Sequence, residues 1–247
     1  MEQAADNRPA RQMSLNGAVV LVAGASGGIG RAVAFGLLGA GAEVFMLGRS
    51  TARLVRPQPP ENARAMCHFI VADLTDSGHV ERVVADISPK GRLDVLVLSS
   101  GIYERSHEPA AFARQMAANV LGPYCLIQRL LPFLIGSKGQ VLFINSTQGL
   151  KATAGIGQYA ATKHAMKAVA DSLRDEVNGK GVRVTSVFLG RTATELQRAI
   201  FAEEKRPYPP ERLIQPADVA EIVLSLLKLP RTSEATDIIL RPMQKTQ

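Results

Sequence analysis

Ala18-Val19-Val20-Leu21-Val22-Ala23 runs without a polar side chain into Gly24-Ala25-Ser26-Gly27-Gly28-Ile29-Gly30, and Arg31-Ala32-Val33-Ala34-Phe35 follows as helical sequence. A short aliphatic run of this kind reads as a strand covered on both faces. The glycines after it let the backbone turn tightly and come close to a phosphate. A helix that begins there points its free N–H groups and the positive end of its dipole at that phosphate. Alone, a glycine cluster is no more than a tight strand-to-helix turn. Between a first strand and a helix it reads as a dinucleotide cradle, with Gly24, Ser26, Gly28, Ile29 and Gly30 as its contacts.

The pattern repeats on either side. Glu43 to Leu47, His68 to Val71, Leu93 to Leu98, Gln140 to Asn145, Val182 to Phe188 and Thr236 to Leu240 add six apolar runs to Ala18 to Ala23. Helical periodicity fills the gaps near 29–40, 76–88, 109–136, 157–179 and 216–228. Strands alternating with helices predict an α/β fold, a seven-stranded parallel sheet with crossover helices on both faces. Residues 1–14 read as a polar tail and 15–247 as one domain. Glu203 to Arg212 is read as the only long internal irregularity.

Composition narrows the classes. The 247 residues are 46% hydrophobic, 21% charged and 5% aromatic, an ordinary globular balance. No run approaches the roughly 18 consecutive apolar residues of a spanning helix, and Met1 to Leu15 lacks the apolar stretch of a secretory signal, so neither a membrane nor a secreted protein is expected. Cys67 and Cys125 sit apart in apolar or amphipathic context and are expected to be buried free thiols in a reducing cytoplasm. The four histidines, His68, His79, His107 and His164, show no metal-ligand spacing, and no metal is expected. The net charge of +7 permits an anionic ligand or nucleic acid, but no block resembles a basic recognition helix, so a phosphate-bearing cofactor is the simpler reading.

In open α/β sheets ligands bind beyond the carboxyl ends of the strands. After the second run stands Leu47-Gly48-Arg49-Ser50, a small residue and a cation where an NAD site carries an acid for the ribose hydroxyls. Arg49 is therefore read as a clamp on a 2′-phosphate, predicting NADP(H) over NAD(H); the alternative is a solvated surface arginine. Tyr159-Ala160-Ala161-Thr162-Lys163 places a phenol and an ammonium on one helix face, and a neighbouring cation is expected to lower the phenol pKa toward working pH, suiting Tyr159 to general acid/base work. Such pairs are common on helix surfaces; what sets this one apart is Ser146, ending an apolar run shortly before it.

Gly24-x-x-x-Gly28-x-Gly30, Asp73-Leu74, Asn119, Ser146 and Tyr159-x-x-x-Lys163, in this order and spacing, resemble the short-chain dehydrogenase/reductase family over nearly the whole of residues 15–240. The resemblance implies a single Rossmann-like three-layer domain, NAD(P)-dependent interconversion of a carbonyl and a secondary alcohol, and a homo-oligomer, dimer or tetramer. It implies that Tyr159 exchanges the proton, Ser146 hydrogen-bonds the substrate oxygen, and Lys163 binds the nicotinamide ribose and lowers the tyrosine pKa. Asn119 would hold, through its backbone carbonyl, a water linking Lys163 to solvent; without the resemblance it reads as a mid-helix surface residue. Asp73 would contact the adenine with Leu74 packed beside it, or else cap a turn. Ser99 and Gly101 would approach the adenine ribose. In Leu189-Gly190-Arg191-Thr192-Ala193-Thr194, Thr192 and Thr194 are candidates for carboxamide or phosphate contacts, with a helix N-cap at Thr194 as the alternative.

Three departures stand out. Ala23 replaces the usual Thr, Leu98-Ser99-Ser100-Gly101 stands where the family has Asn-Asn-Ala-Gly, and Asp237 to Met243 lacks the terminal Gly-Gly. The lid over the substrate is expected about 190–214, with Leu196, Ile200, Phe201 and Tyr208 facing it, and Tyr103, Glu104 and Gln148 to Leu150 on the opposite wall. The rival functions are a silent NADP(H)-binding sensor, for which four intact catalytic positions are superfluous, and a nucleic-acid-binding protein, which rests on charge alone.

Overall fold

A computed structural model of the chain describes residues 14–56 and 58–244. The tail expected over residues 1–14 lies, Ser14 apart, outside the described residues. Seven strands, β1 (Val19–Ala23), β2 (Glu43–Gly48), β3 (Cys67–Val71), β4 (Val95–Leu98), β5 (Gln140–Ser146), β6 (Arg183–Leu189) and β7 (Asp237–Leu240), form one sheet in the order β3-β2-β1-β4-β5-β6-β7. Every pairing is parallel. The crossovers carry α1 (Gly28–Gly39), α2 (Thr51–Leu54), α3 (Ser77–Ile87), α4 (Pro109–Met116), α5 (Gly122–Ser137), α6 (Gly157–Val177), α7 (Glu195–Glu203) and α8 (Pro216–Leu227).

The alternation of side chains along each strand splits the core into two layers. Val19, Leu21 and Ala23 of β1, with Val141 and Phe143 of β5, face α3, α5 and α6, where Val83, Leu126, Leu130, Leu173 and Val177 meet them. Val20 and Val22, with Leu142 and Ile144, face α1 and α8, where Val33, Leu37, Val219 and Val223 pack. This is why the inner strands read as unbroken apolar runs. The edge strands depart from that expectation: β3 leaves Phe69 and Val71 exposed and β7 leaves Ile239 exposed, so the two-sided cover of the inner strands does not extend to the outermost ones.

Asp94, just before β4, is buried and accepts a hydrogen bond from the Val19 backbone N–H at 2.8 Å, tying the start of β4 to β1. Arg92 also pairs with it. Gly24 (φ +88) sits where β1 and β4 end side by side; a Cβ there would fall 2.5 Å from the Ser100 backbone nitrogen. Gly30 is equally closed, its Cβ 2.4 Å from the Gly24 carbonyl oxygen.

Several expectations are corrected. Cys125 is exposed on α5 and Cys67 half-buried, both free thiols, since α5 turns Leu126, Ile127 and Leu130 rather than Cys125 to the sheet. Residues 101–108 are irregular as well as the segment near Glu203 to Arg212. The predicted helix 109–136 is continuous but changes gauge at a π-turn, Ala117–Leu121, between α4 and α5. This helix is long and apolar enough by length and composition to cross a membrane; its Leu126, Ile127, Leu130 and Leu134 instead fill the core against the sheet. Inside the expected lid, α7 is a helix. Thr194 caps it, accepting from the Gln197 N–H at 3.2 Å, and the Thr-x-x-Gln spacing is a start signal already present in the sequence.

Candidate active site

At the carboxyl end of the sheet, β4, β5 and β6 open onto a cavity of about 460 Å³. Ser146 ends β5, and Tyr159 and Lys163 rise from the first turns of α6 to share its wall. Ile29, Ser99, Gly101, Thr192 and Thr194 line the same cavity. The Ser146 hydroxyl hydrogen-bonds the Tyr159 phenol, and also accepts from the Gln148 N–H at 3.2 Å. Lys163 Nζ stands 5.6 Å from the Tyr159 ring centre, beside Gly101.

Asn145 is the positioning residue that sequence reasoning missed. Its Oδ1 accepts from the Ser146 N–H at 2.8 Å, and its Nδ2 donates to the Lys163 backbone carbonyl at 3.1 Å. One buried amide thus fastens the strand that carries the serine to the helix that carries the lysine. The only trace in the sequence is a polar residue at the end of an apolar strand. Gly149 completes the joint, since a Cβ there would lie 2.7 Å from the same Lys163 carbonyl oxygen.

Asn119 lies in the π-turn and is buried, so it is not a surface residue. Its side chain spans the Ile102 peptide, accepting from the N–H at 2.7 Å and donating to the carbonyl at 2.9 Å, and donates to Thr162 Oγ1 at 3.1 Å. Behind Lys163 a second cavity of about 10 Å³ is bounded by Asn119, Ser100 and Asn145. That volume is about one water molecule's worth of room. Ser100 Oγ, at the position where the family has Ala, is buried beside it with no partner among the described residues.

Burial controls the electrostatics. It pushes the Tyr159 phenol up to about 12; the Ser146 hydrogen bond opposes the rise and Tyr103 adds to it. The same desolvation pulls Lys163 down to about 8. This corrects the expectation that Lys163 draws the phenol toward neutral pH. Both groups lose their water, so each favours its neutral form, and desolvation is the largest cause of either shift. A neutral phenol next to a lysine that is mostly charged at neutral pH is a proton donor backed by a proton source.

The buried ammonium has a cost to folding. Below about pH 8 both folded and unfolded chains carry the charge and the folded one bears the full desolvation penalty; between about 8 and 10.5 the unfolded chain binds more protons, so stability rises with pH. Lys163→Met is accordingly expected to raise the unfolding free energy at pH 7 by something of order 3 kcal/mol while removing turnover. In urea denaturation the gap between the two proteins should close as pH rises toward 10.5; a gap constant with pH would mean that packing, not charge, sets it.

The phosphate end lies outside the main cavity. Gly24 and Gly30 are required by the loop's own backbone contacts, whereas Gly27 and Gly28 are exposed. The N-cap, Gly27, offers no side chain to the first turn of α1 and no acid stands there, so its N–H groups are open to an anion. Ser26 packs on Gly48, where a Cβ would fall 2.8 Å from Ser26 Oγ, so no carboxylate side chain fits at Gly48 unless Ser26 moves. Arg49 is exposed at the mouth of β2, and Arg31 donates from below to the Ser26 and Arg53 carbonyl oxygens at 3.0 and 2.6 Å. Asp73 Oδ1 accepts from Thr75 N–H and Oγ1 at 2.9 and 2.8 Å. Burial would raise its pKa, but those bonds, with Arg49 and His79 nearby, hold it below the usual aspartate range. Asp73 thus caps the turn that runs to Asp76, as its alternative reading had it, and Asp76 in turn caps α3. Leu74 belongs to the core, packed on Gly122. These residues fit a dinucleotide phosphate, and Ser26, Gly28, Arg49 and Asp73 would hold its adenosine half. Among the described residues no cluster of His, Cys, Asp and Glu could hold a metal ion.

On the substrate side the lining differs from expectation. Tyr103 and Gln148 face the cavity, but Glu104 turns to Arg114 and Leu150 lies outside. From α7, Leu196 and Ile200 face in, whereas Phe201 is buried behind them with Tyr208 edge-on to its ring at 5.6 Å.

The family profile described as short chain dehydrogenase matches residues 18–205. An uncharacterized short-chain type dehydrogenase/reductase of Sinorhizobium fredii is 30% identical over 233 residues, spanning 91% of this chain and 91% of its own. Among solved structures, a short chain dehydrogenase from Salmonella enterica is similar with a TM-score of 0.82 at 27% identity, over 93% of this chain and 98% of its own. A chain described as a short chain dehydrogenase from Escherichia coli, solved complexed with NADPH, gives a TM-score of 0.81 at 28% identity, over 92% of this chain and 97% of its own.

Proposed function

The chain belongs to the short-chain dehydrogenase family of oxidoreductases, and from that premise we propose that it reduces a carbonyl to a secondary alcohol with NADPH. The observation that carries this reading is the meeting of Ser146, Tyr159 and Lys163 on one cavity wall, with the phenol hydrogen-bonded to the serine. When bound, NADPH supplies the hydride that adds to the carbonyl carbon. Tyr159, kept neutral by burial, donates its proton to the carbonyl oxygen as negative charge gathers there. Ser146 Oγ hydrogen-bonds the same oxygen and fixes its place. Lys163 returns a proton toward the phenolate, and the small cavity it shares with Asn119 and Ser100 has room for about one water beside it. Thr192, Thr194 and Ile29 line the cavity where the nicotinamide end of the cofactor fits, and Ser99 and Gly101 line it beside β4.

The choice of NADPH rests on Gly48 and Arg49: an acid at the first would have to displace the Ser26 side chain, and the second offers an exposed cation. The E. coli neighbour complexed with NADPH supports it. The reading extends to a cytoplasmic homo-oligomer, for which exposed Leu121 and Tyr124 offer an apolar patch. Equilibrium titrations with NADPH and NADH, followed by nicotinamide fluorescence, test the cofactor assignment; the chain has no tryptophan to interfere. Markedly tighter NADPH is the expected result. Tighter NADH would reverse the cofactor and the direction, and binding of neither would leave no reductase to propose.

A further inference from the structure

Three arginines converge on one carboxylate at the substrate end of the cavity. Glu204, just beyond α7, accepts from Arg105 at 3.2 Å, from Arg191 at 3.2 and 3.1 Å and from Arg206 at 3.1 Å. The guanidinium groups of Arg191 and Arg206 also lie 4.6 and 5.2 Å from the centre of the buried Phe201 ring. One ion pair would suffice to latch α7 to the segment after β6. The second and third arginines leave two positive charges of this cluster uncompensated, and guanidinium groups cannot shed a proton to relieve it.

Two of the three cations, Arg105 and Arg191, line the same cavity as Ser146 and Tyr159. Arg191 Nη1 is buried without a hydrogen-bond partner among the described residues. A buried, charged donor left unpaired is costly, so the Arg191 guanidinium keeps donor capacity that Glu204 does not use, open to an acceptor in the cavity once the guanidinium turns toward it. Arg105 Nε donates to the Tyr103 hydroxyl at 3.0 Å, and the Tyr103 ring meets Tyr159 edge-on at 5.3 Å. One aromatic ring therefore separates this cation from the reacting phenol.

We propose that the substrate is an acidic carbonyl compound, its carbonyl between Ser146 and Tyr159 and its anionic group, a carboxylate or phosphate, held by Arg191 and Arg105. The inference rests on the carbonyl-reduction reading and adds the substrate's charge. The ring between phenol and arginine sets the spacing: the two groups are separated by a chain of several bonds rather than adjacent. Glu204 has the opposite role, holding the arginines in place and competing with the substrate's anion for them.

The test compares oxo carboxylates of increasing chain length with the methyl ester of each, on the NADPH complex, by kcat/KM and by the change each causes in bound NADPH fluorescence. The wild type is expected to favour the acid over its ester by about tenfold or more at one chain length. Arg191→Gln should collapse that ratio, and Glu204→Gln, which frees the arginines, should preserve or raise it. A pure latch gives a different pattern: both variants impair acid and ester alike, which overturns the proposal. Equal handling of acid and ester by the wild type overturns it too, with the reductase reading intact. If Arg191→Gln weakens NADPH itself and leaves the acid-to-ester ratio unchanged, the anion served is the cofactor's phosphate and the proposal fails. A wild type that binds NADPH but reduces neither member of any pair removes the carbonyl reading, and this inference with it.

Discussion

Replacing Tyr159 by Phe should lower kcat by about a thousandfold, or about 4 kcal/mol of transition-state stabilisation, while the Kd for NADPH changes by only a few-fold. The size follows from what the hydroxyl does. Burial holds the phenol neutral, with its pKa about 12, so the proton is present at working pH and is delivered only as the carbonyl oxygen becomes basic. Phenylalanine keeps the ring, its edge-on contact with Tyr103 and its packing, and removes only the proton and the bond to Ser146. Thermal stability should hardly move, which separates lost chemistry from lost structure. Single-turnover rates with a generic carbonyl would check it. Turnover within a few-fold of wild type would sink Tyr159 as the acid and turn attention to Tyr103, the other phenol on the same cavity.

The second large effect is on cofactor choice. Arg49→Asp should weaken NADPH relative to NADH by about a hundredfold: it deletes a charge-assisted contact with the 2′-phosphate, worth about 1.5–3 kcal/mol, and sets a carboxylate against a dianion. NADH should bind as well or better, because the new carboxylate can accept from both ribose hydroxyls. The exposed position of Arg49 gives the substitution room, whereas a side chain at Gly48 beside it would have to push Ser26 aside. Equal losses for the two cofactors would move the phosphate clamp elsewhere, and Arg31 and Arg53 stand in the same corner. The variant should also relax Asp73, which Arg49 helps hold ionised.

Much of this site was legible in the sequence because its signals are local. The glycines of the first loop, Ser146 at the end of β5 and the four-residue spacing of Tyr159 and Lys163 each follow from the geometry of one strand, one turn or one helix. Even α7 was announced by Thr194 and Gln197, and the alternative reading of Thr194 as a helix N-cap is the one the structure bears out. Where reading failed, the deciding contact was distant. Cys125 looked buried because its helix is apolar, but which side of α5 meets the sheet depends on the sheet's placement. Lys163 was expected to lower the pKa of Tyr159, and desolvation by the whole surrounding fold reversed the sign.

By itself the sequence determined the seven-stranded parallel sheet, the glycine turn at the end of β1 and the candidates Ser146, Tyr159 and Lys163 that the fold brings to one cavity, since hydrophobic period, glycine placement and helical spacing are properties of short segments. Only the tertiary structure decided the rest: that Asn145 joins Ser146 to Lys163, that burial leaves the phenol protonated and the lysine weakened, and that Arg105 reaches Glu204 across 99 residues of chain to build a cationic corner beside the reacting phenol. Charge pairing and loss of solvent act through space, and no spacing along the chain records them.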